Sequence, residues 1–172
     1  MPEKKTIEKA RKDKREGKAP STQAGEFVHE EIEHVKEGKH GARSTKQAIA
    51  IGLSKARRAG VKLPPPKKGT ASAETRRKAQ HDSEEGAKGA KKSVSRTRSK
   101  ATTAALKKEG HSAASPKALS RQAKSAAAKR TASDRSAAAK KAARTKGPEE
   151  RSAAARKAAK TRAKKSSARK SS

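Results

Sequence analysis

The sequence predicts an all-α but mostly disordered chain, in which a small helical hairpin precedes an Ala/Lys-rich, conditionally helical basic tail. Two compositional facts favour disorder: the 172 residues carry a net charge of +31, and only 29% of them are hydrophobic, with one Phe and no Trp or Tyr. Large apolar residues recur at helical spacing only in the N-terminal third. Most of the chain therefore has too little apolar surface to offset the entropy lost on folding.

Charge divides the chain into unequal parts. Residues 1–40 have a net charge of +1, whereas residues 101–172 contain 21 basic and 4 acidic residues. Together with the Pro/Gly pattern, this predicts four segments: a charged N-terminal helix at 1–18, a helical hairpin head at 19–63, a Pro/Gly/Lys-rich linker at 64–100, and a basic Ala/Lys/Ser repeat tail at 101–172.

The first two helices are predicted from spacing. Glu3 to Glu16 mixes acidic and basic residues at helical spacing, with Glu8 and Lys12 as an i, i+4 pair, and this helix should end at Gly17. Ser21 to Glu37 forms the second helix, capped by Ser21. Its apolar residues share one side at about 100° per residue. They are Ala24, Phe27, Val28, Ile32 and Val35.

Ser44 to Gly60 carries the strongest helix signals. Ser44 and Gln47 have the spacing of a capping box, and Gly60 supplies a left-handed residue after the last turn. Its apolar face, at i, i+3, i+4 and i+7, comprises Ile49, Gly52, Leu53 and Ala56. This face should close on the second helix as a hairpin. Ile51 points away from this face, so we expect it either to pack under the first helix or to mark a surface for self-association through the hairpin.

The tail is repetitive. Ser-Ala-Ala-Ala units begin at Ser125, Ser136 and Ser152, and no residue larger than alanine is apolar after Leu119. Alanine favours helix, but the basic residues are spread around it and leave no face to bury. The sequence therefore predicts helices that form only when their charge is neutralised.

Residues 29–34, His-Glu-Glu-Ile-Glu-His, resemble the zinc-protease motif H-E-x-x-H, but Glu33 stands where the second His is required. His29 and Glu33 could share a metal at i, i+4, yet no third ligand is evident. The sequence thus predicts no metal site and no cofactor. No nucleophile lies beside a base either, so we expect no enzyme.

Residues 38–41, Gly-Lys-His-Gly, match the G-x-x-G backbone clamp of KH domains. A KH domain also needs a three-stranded sheet, and no alternating strand pattern is present. A helix-turn-helix is a further alternative, disfavoured by the long connection between the two helices. Two glycines that allow a chain reversal are the simpler interpretation.

The charge predicts a polyanionic partner, DNA first and RNA as the alternative. The tail lacks aromatic residues for base stacking, which favours sequence-independent contact with duplex phosphates. No apolar run reaches the ~20 residues of a membrane span, and no secretory signal is visible. We expect a cytoplasmic, nucleoid-associated protein without a membrane partner. Without cysteine it can form no disulfide.

Two resemblances add to this interpretation. Residues 25–63 contain Lys-Gln-Ala-Ile-Ala-Ile-Gly-Leu-Ser-Lys-Ala-Arg and resemble a small basic bacterial family of unknown function, some of whose members carry DNA-binding or plasmid-stabilisation labels. The Ala/Lys/Ser tail, with Ser115-Pro116-Lys117, is similar to linker-histone and bacterial histone H1-like tails. The resemblances imply a bacterial, DNA-associated protein.

The predicted function is sequence-independent binding of duplex DNA by phosphate neutralisation, in a histone-like or plasmid-maintenance role. The alternative is an adaptor, whose hairpin binds a protein partner while the tail tethers it to RNA or the ribosome. The residues predicted to contact nucleic acid are Arg57 and Arg58 in the head, and Lys140, Lys141, Arg144, Arg151, Arg156, Lys157 and Arg162 in the tail.

Overall fold

The computed structural model describes residues 2–89, 95–145 and 147–170, of which residues 145 and 164–170 are described by backbone alone. This part of the chain contains eight α-helices and one short 3-10 turn, Ser112–Ala114. The helices are α1 Lys4–Arg15, α2 Pro20–Lys36, α3 Thr45–Arg58, α4 Ala73–Ala87, α5 Arg96–Lys107, α6 Pro116–Ala128, α7 Ala132–Thr145 and α8 Pro148–Lys170. Two compact units result, residues 1–123 and residues 124–172.

The expectation of a mostly disordered chain is wrong, because 74% of it is helical and the tail is largely helical as well. Local signals explain the difference. Alanine has the highest helix propensity, and caps supply the starts of the helices. The Ser95 hydroxyl accepts from the Arg98 N–H, and the Thr131 hydroxyl accepts from the Asp134 N–H. Pro148 occupies the first position of α8, which suits its missing N–H.

The first three helices follow their sequence signals closely. Helix α1 is followed by Gly17 with φ +69°, and α3 by Gly60 with φ +87°. Ser44 caps α3 by accepting from the Gln47 N–H at 3.2 Å. The Gln47 side chain accepts from the N–H of Arg43 at 2.8 Å, one residue before the predicted partner. Helix α2 begins at Pro20 with Ala19 at its cap, so the predicted Ser21 cap is wrong.

Helices α2 and α3 pack as the predicted hairpin. Phe27 is 1% exposed and lies in a cluster with Ala24 and Ala56, to which α1 adds Ala10. The two helices approach closely at Gly52, where a Cβ atom would lie 2.7 Å from the Val28 Cα. The hairpin therefore forms a core by close backbone approach as much as by large side chains.

A second cluster closes the turn of the hairpin with residues from far along the chain. Ala113 and Ala114 pack against Val35 and Ala48. Three long-range hydrogen bonds hold the incoming segment, residues 106–114. The Gly41 N–H donates to the Leu106 carbonyl (2.9 Å), the Ala42 N–H to the Gly110 carbonyl (3.0 Å), and the Thr45 hydroxyl to the Ala113 carbonyl (2.6 Å). The sequence contained no signal for this docking.

Helix α4 lies in the segment predicted to be a linker, and it packs on α3. Asp82 is 6% exposed and accepts hydrogen bonds of 2.6 Å from both the Ser54 hydroxyl and the Arg58 Nε. The predicted linker also contains the start of α5, while residues 90–94 lie outside the described residues. No described helix is long and apolar enough to cross a membrane.

Candidate nucleic-acid interface

The basic residues predicted in the tail lie on α7 and α8 with exposed side chains. Indeed, every described side chain of these two helices is exposed, except that of Ala143, which is half-buried. Helix α8 has 23 residues and is therefore about 34 Å long. The seven predicted residues, all exposed, are Lys140, Lys141 and Arg144 on α7, and Arg151, Arg156, Lys157 and Arg162 on α8.

The acidic residues of these helices are confined to their N-terminal ends. The Asp134 carboxylate accepts from the hydroxyl of Thr131 at 2.7 Å, and Glu149 and Glu150 lie in the first turn of α8. Negative charge at a helix N-terminus is stabilising, because the free N–H groups and the macrodipole are positive there. The remaining length of each helix carries positive charge on all sides.

The two arginines predicted in the head serve the fold to different degrees. Arg57 is only 7% exposed and donates to the Pro64 carbonyl at 3.2 Å. Burial lowers the pKa of Arg57 from its usual value. Arg58 is held through its Nε by Asp82, although 62% of its side chain remains exposed. Of the two, only Arg58 presents its charge to solvent.

The G-x-x-G loop, residues 38–41, is occupied by residues 106–114 of the same chain. A Cβ atom at Gly41 would collide with the backbone carbonyl of Glu109. Gly41 therefore allows residues 106–114 to approach, while Gly38 adopts φ +75° to reverse the chain after α2. The loop receives a segment of its own chain where a KH domain would clamp nucleic acid.

A second arrangement, which sequence reasoning missed, lies between α2 and α3. Glu31 is 1% exposed, and its Oε2 lies 2.6 Å from the Lys55 Nζ. The same Nζ lies 3.4 Å from Glu30 Oε1. Burial raises the pKa of Glu30, but hydrogen bonds from Thr6 and the Glu3 backbone, with Lys55, together hold that pKa below its ordinary value.

Two histidines complete this arrangement. His40 Nε2 lies 3.2 Å from Glu31 Oε1, and the rings of His34 and His40 are edge to face with centroids 6.0 Å apart. The sequence had directed attention to His29, which is exposed, and to Glu33, which pairs with Lys36. The i, i+3 spacing of Glu31 and His34 was the available signal, but the approach of His40 depends on the turn.

The chain matches a protein family over part of its length. The model of a family of unknown function (DUF6496) matches residues 3–68, which include α1, α2 and α3. No curated protein and no solved structure matches the chain. The match agrees with the resemblance to an uncharacterised family. That family is described as one of unknown function, so the match assigns no function to this chain.

Proposed function

We propose that this protein binds duplex DNA without sequence preference, by neutralising phosphates with the lysines and arginines of α7 and α8. The observation that carries the proposal is the exposure of both helices on all sides. Residues 124–172 contain 17 basic and 3 acidic residues. A helix without an apolar face gains nothing by packing on a protein core, whereas each basic side chain can displace a counterion from DNA.

The dimensions of α8 suit a duplex. Its length of about 34 Å corresponds to about one turn of B-DNA, along which a phosphate charge recurs every ~1.7 Å of axis. The basic residues surround the helix, and the tail has no aromatic side chain for base stacking. These features favour contact with the backbone over the readout of bases.

The resemblance to histone-like tails and to proteins labelled DNA-binding or plasmid-stabilising supports the same proposal. On this basis we place the protein at the nucleoid, where it would coat chromosomal or plasmid DNA. The adaptor alternative would use the acidic side of α2, which comprises Glu26, Glu30, Glu33 and Glu37. Of these, Glu30 is buried and pairs with Lys55, so it is not available to a partner. The other three are accessible and pair with Lys9, Lys36 and Lys39.

The test is the salt dependence of binding, measured by fluorescence anisotropy with the full chain and two unrelated duplexes of equal length. Replacing five basic residues of α8 by glutamine should keep the helix but make the slope of log K against log salt shallower by up to about 4.5, at about 0.9 per phosphate. The five residues are Arg151, Arg156, Lys157, Lys160 and Arg162.

The matched control replaces five exposed basic residues of α1 by glutamine: Lys4, Lys5, Arg11, Lys14 and Arg15. This variant should retain most of the slope. If the salt slope becomes equally shallow in both variants, the tail does not have its proposed role. If the slopes differ between the two duplexes, binding is not independent of sequence. A single-stranded RNA of the same length should bind more weakly, with a shallower slope.

A further inference from the structure

We propose that Glu31, His34 and His40 form a binding site for one divalent transition-metal ion of the zinc type. The three side chains each offer a ligand atom, and these atoms lie within 4.8 Å of one another. Glu31 and His34 share one side of α2 because they are three residues apart. His40 reaches them from the connection between α2 and α3. The proposal is independent of DNA binding.

The hydrogen bonding of His40 indicates which of its atoms faces the site. Its Nδ1 lies 3.0 Å from the Gly41 carbonyl, so Nδ1 carries a proton and donates it there. In the neutral ring, the lone pair on Nε2 then points to Glu31 Oε1, at 3.2 Å. Two electron pairs at this distance repel each other unless a cation lies between them.

Zinc ligands at about 2.0–2.1 Å in tetrahedral geometry are separated from one another by about 3.3 Å. The distance between His40 Nε2 and Glu31 Oε1, 3.2 Å, is close to this value. The bond from His40 Nδ1 to a backbone carbonyl is also the contact that usually orients a metal-binding histidine. At His34, the Glu3 carboxylate lies 3.0 Å from Nε2 and restrains the ring.

The local balance of charge also favours binding of a cation. Glu30 and Glu31 are 6% and 1% exposed, and among the described lysines and arginines Lys55 is the one that pairs with both. With neutral histidines, one negative charge remains uncompensated in a buried position, which is costly. Neither oxygen of Glu31 accepts a well-directed hydrogen bond, although Lys55 is near Oε2. A metal on Oε1 would remove the excess charge and leave Lys55 in place.

The donor set determines the class of metal. Two imidazoles and one carboxylate suit zinc and its first-row neighbours, whereas magnesium and calcium require mostly oxygen ligands. The site would fasten the C-terminal end of α2 to the turn beside Gly41, where residues 106–114 dock. We therefore assign it a structural role.

The experiment titrates the untagged, metal-free full chain with Zn²⁺ by isothermal calorimetry and with Co²⁺ by visible absorption. Wild type should bind one ion per chain, and Co²⁺ should give tetrahedral d–d bands. His40→Gln and His34→Gln should each weaken Zn²⁺ binding roughly tenfold or more. His29→Gln is the matched control, since this exposed histidine lies on the same helix outside the cluster, and it should bind like wild type.

Circular dichroism of each metal-free variant shows whether it folds, and His34→Gln decides the test if His40→Gln loses helicity. If wild type does not bind Zn²⁺ one to one, the proposal is overturned, and a protonated His40 is the cation beside Glu31. The proposal is also overturned if His29→Gln weakens Zn²⁺ binding as much as His40→Gln does, or if wild type binds Mg²⁺ as tightly as Zn²⁺. The salt slope for DNA should be the same with and without Zn²⁺, so the two proposals can fail separately.

Discussion

Gly52 decides how closely α2 and α3 can approach. A methyl group there would lie 2.7 Å from the Val28 Cα, whereas one at Gly25, also in a helix, would contact nothing within 4 Å. We expect Gly52→Ala to lower the free energy of unfolding by about 1–3 kcal/mol through overpacking. Gly25→Ala should raise it by up to about 1 kcal/mol. Urea unfolding followed by circular dichroism measures both, and equal effects would contradict the crossing geometry.

Arg58 illustrates how one residue can serve the fold and the surface. Its Nε donates to buried Asp82, which would keep its hydrogen bond from Ser54 but lose this charged partner, so Arg58→Gln should lower stability by about 1–3 kcal/mol. Its effect on the salt slope of DNA binding should be at most about one phosphate. Thermal melts measure the effect on stability, and fluorescence anisotropy measures the effect on DNA binding. A larger loss of DNA affinity than of stability would show that the head reads DNA directly.

Local signals predicted single residues well. The cap at Ser44 and the left-handed Gly60 depend only on neighbouring residues, and the structure confirms both. Burial of Arg57 could not be predicted in this way, since it follows from the position of the Pro64 carbonyl after the chain has turned. The same holds for His40, whose distance from Glu31 is set by the path of the connection.

At the scale of elements, the docking of residues 106–114 depends on Gly41. Gly41→Ala would place a methyl group against the Glu109 carbonyl, whereas Gly110→Ala meets nothing within 4 Å. We expect the first variant to release the segment and the second to retain it. Hydrogen exchange at the Ala42 amide, which donates to Gly110, should speed up at least tenfold only in Gly41→Ala. Unchanged protection would show that the docking does not need this glycine.

Helices with apolar faces were predictable, whereas the tail, whose helices have none, was wrongly judged to be disordered. Composition alone favoured disorder for the tail, because α7 and α8 bury almost nothing. Their alanines, the Thr131 and Asp134 cap, and Pro148 at the start of α8 outweigh like-charge repulsion. Helix α4 had a polar pattern, and its packing on α3 through Asp82 requires partners that spacing does not identify.

For the whole molecule, the C-terminal boundary of the first compact unit, residues 1–123, can be tested by truncation. Neither core cluster contains a residue from the described part of 124–172. A chain ending at Arg130 should therefore melt at the same temperature as the full chain, while its affinity for DNA falls. A chain ending at Lys100, the last residue before the predicted tail, lacks Ala113 and Ala114 and should melt several degrees lower. Equal melting of the two truncated chains would contradict the second cluster.

The docking of residues 106–114 also sets an order of events during synthesis. The hydrogen bond between Thr45 and Ala113 joins residues 68 positions apart. At about 5–20 residues per second, the ribosome needs about 3 to 14 s to make the intervening chain. Until then Val35 and Ala48 lack their covering alanines. The nascent hairpin thus exposes an apolar patch for seconds, which is time enough for a chaperone to bind before the chain covers it.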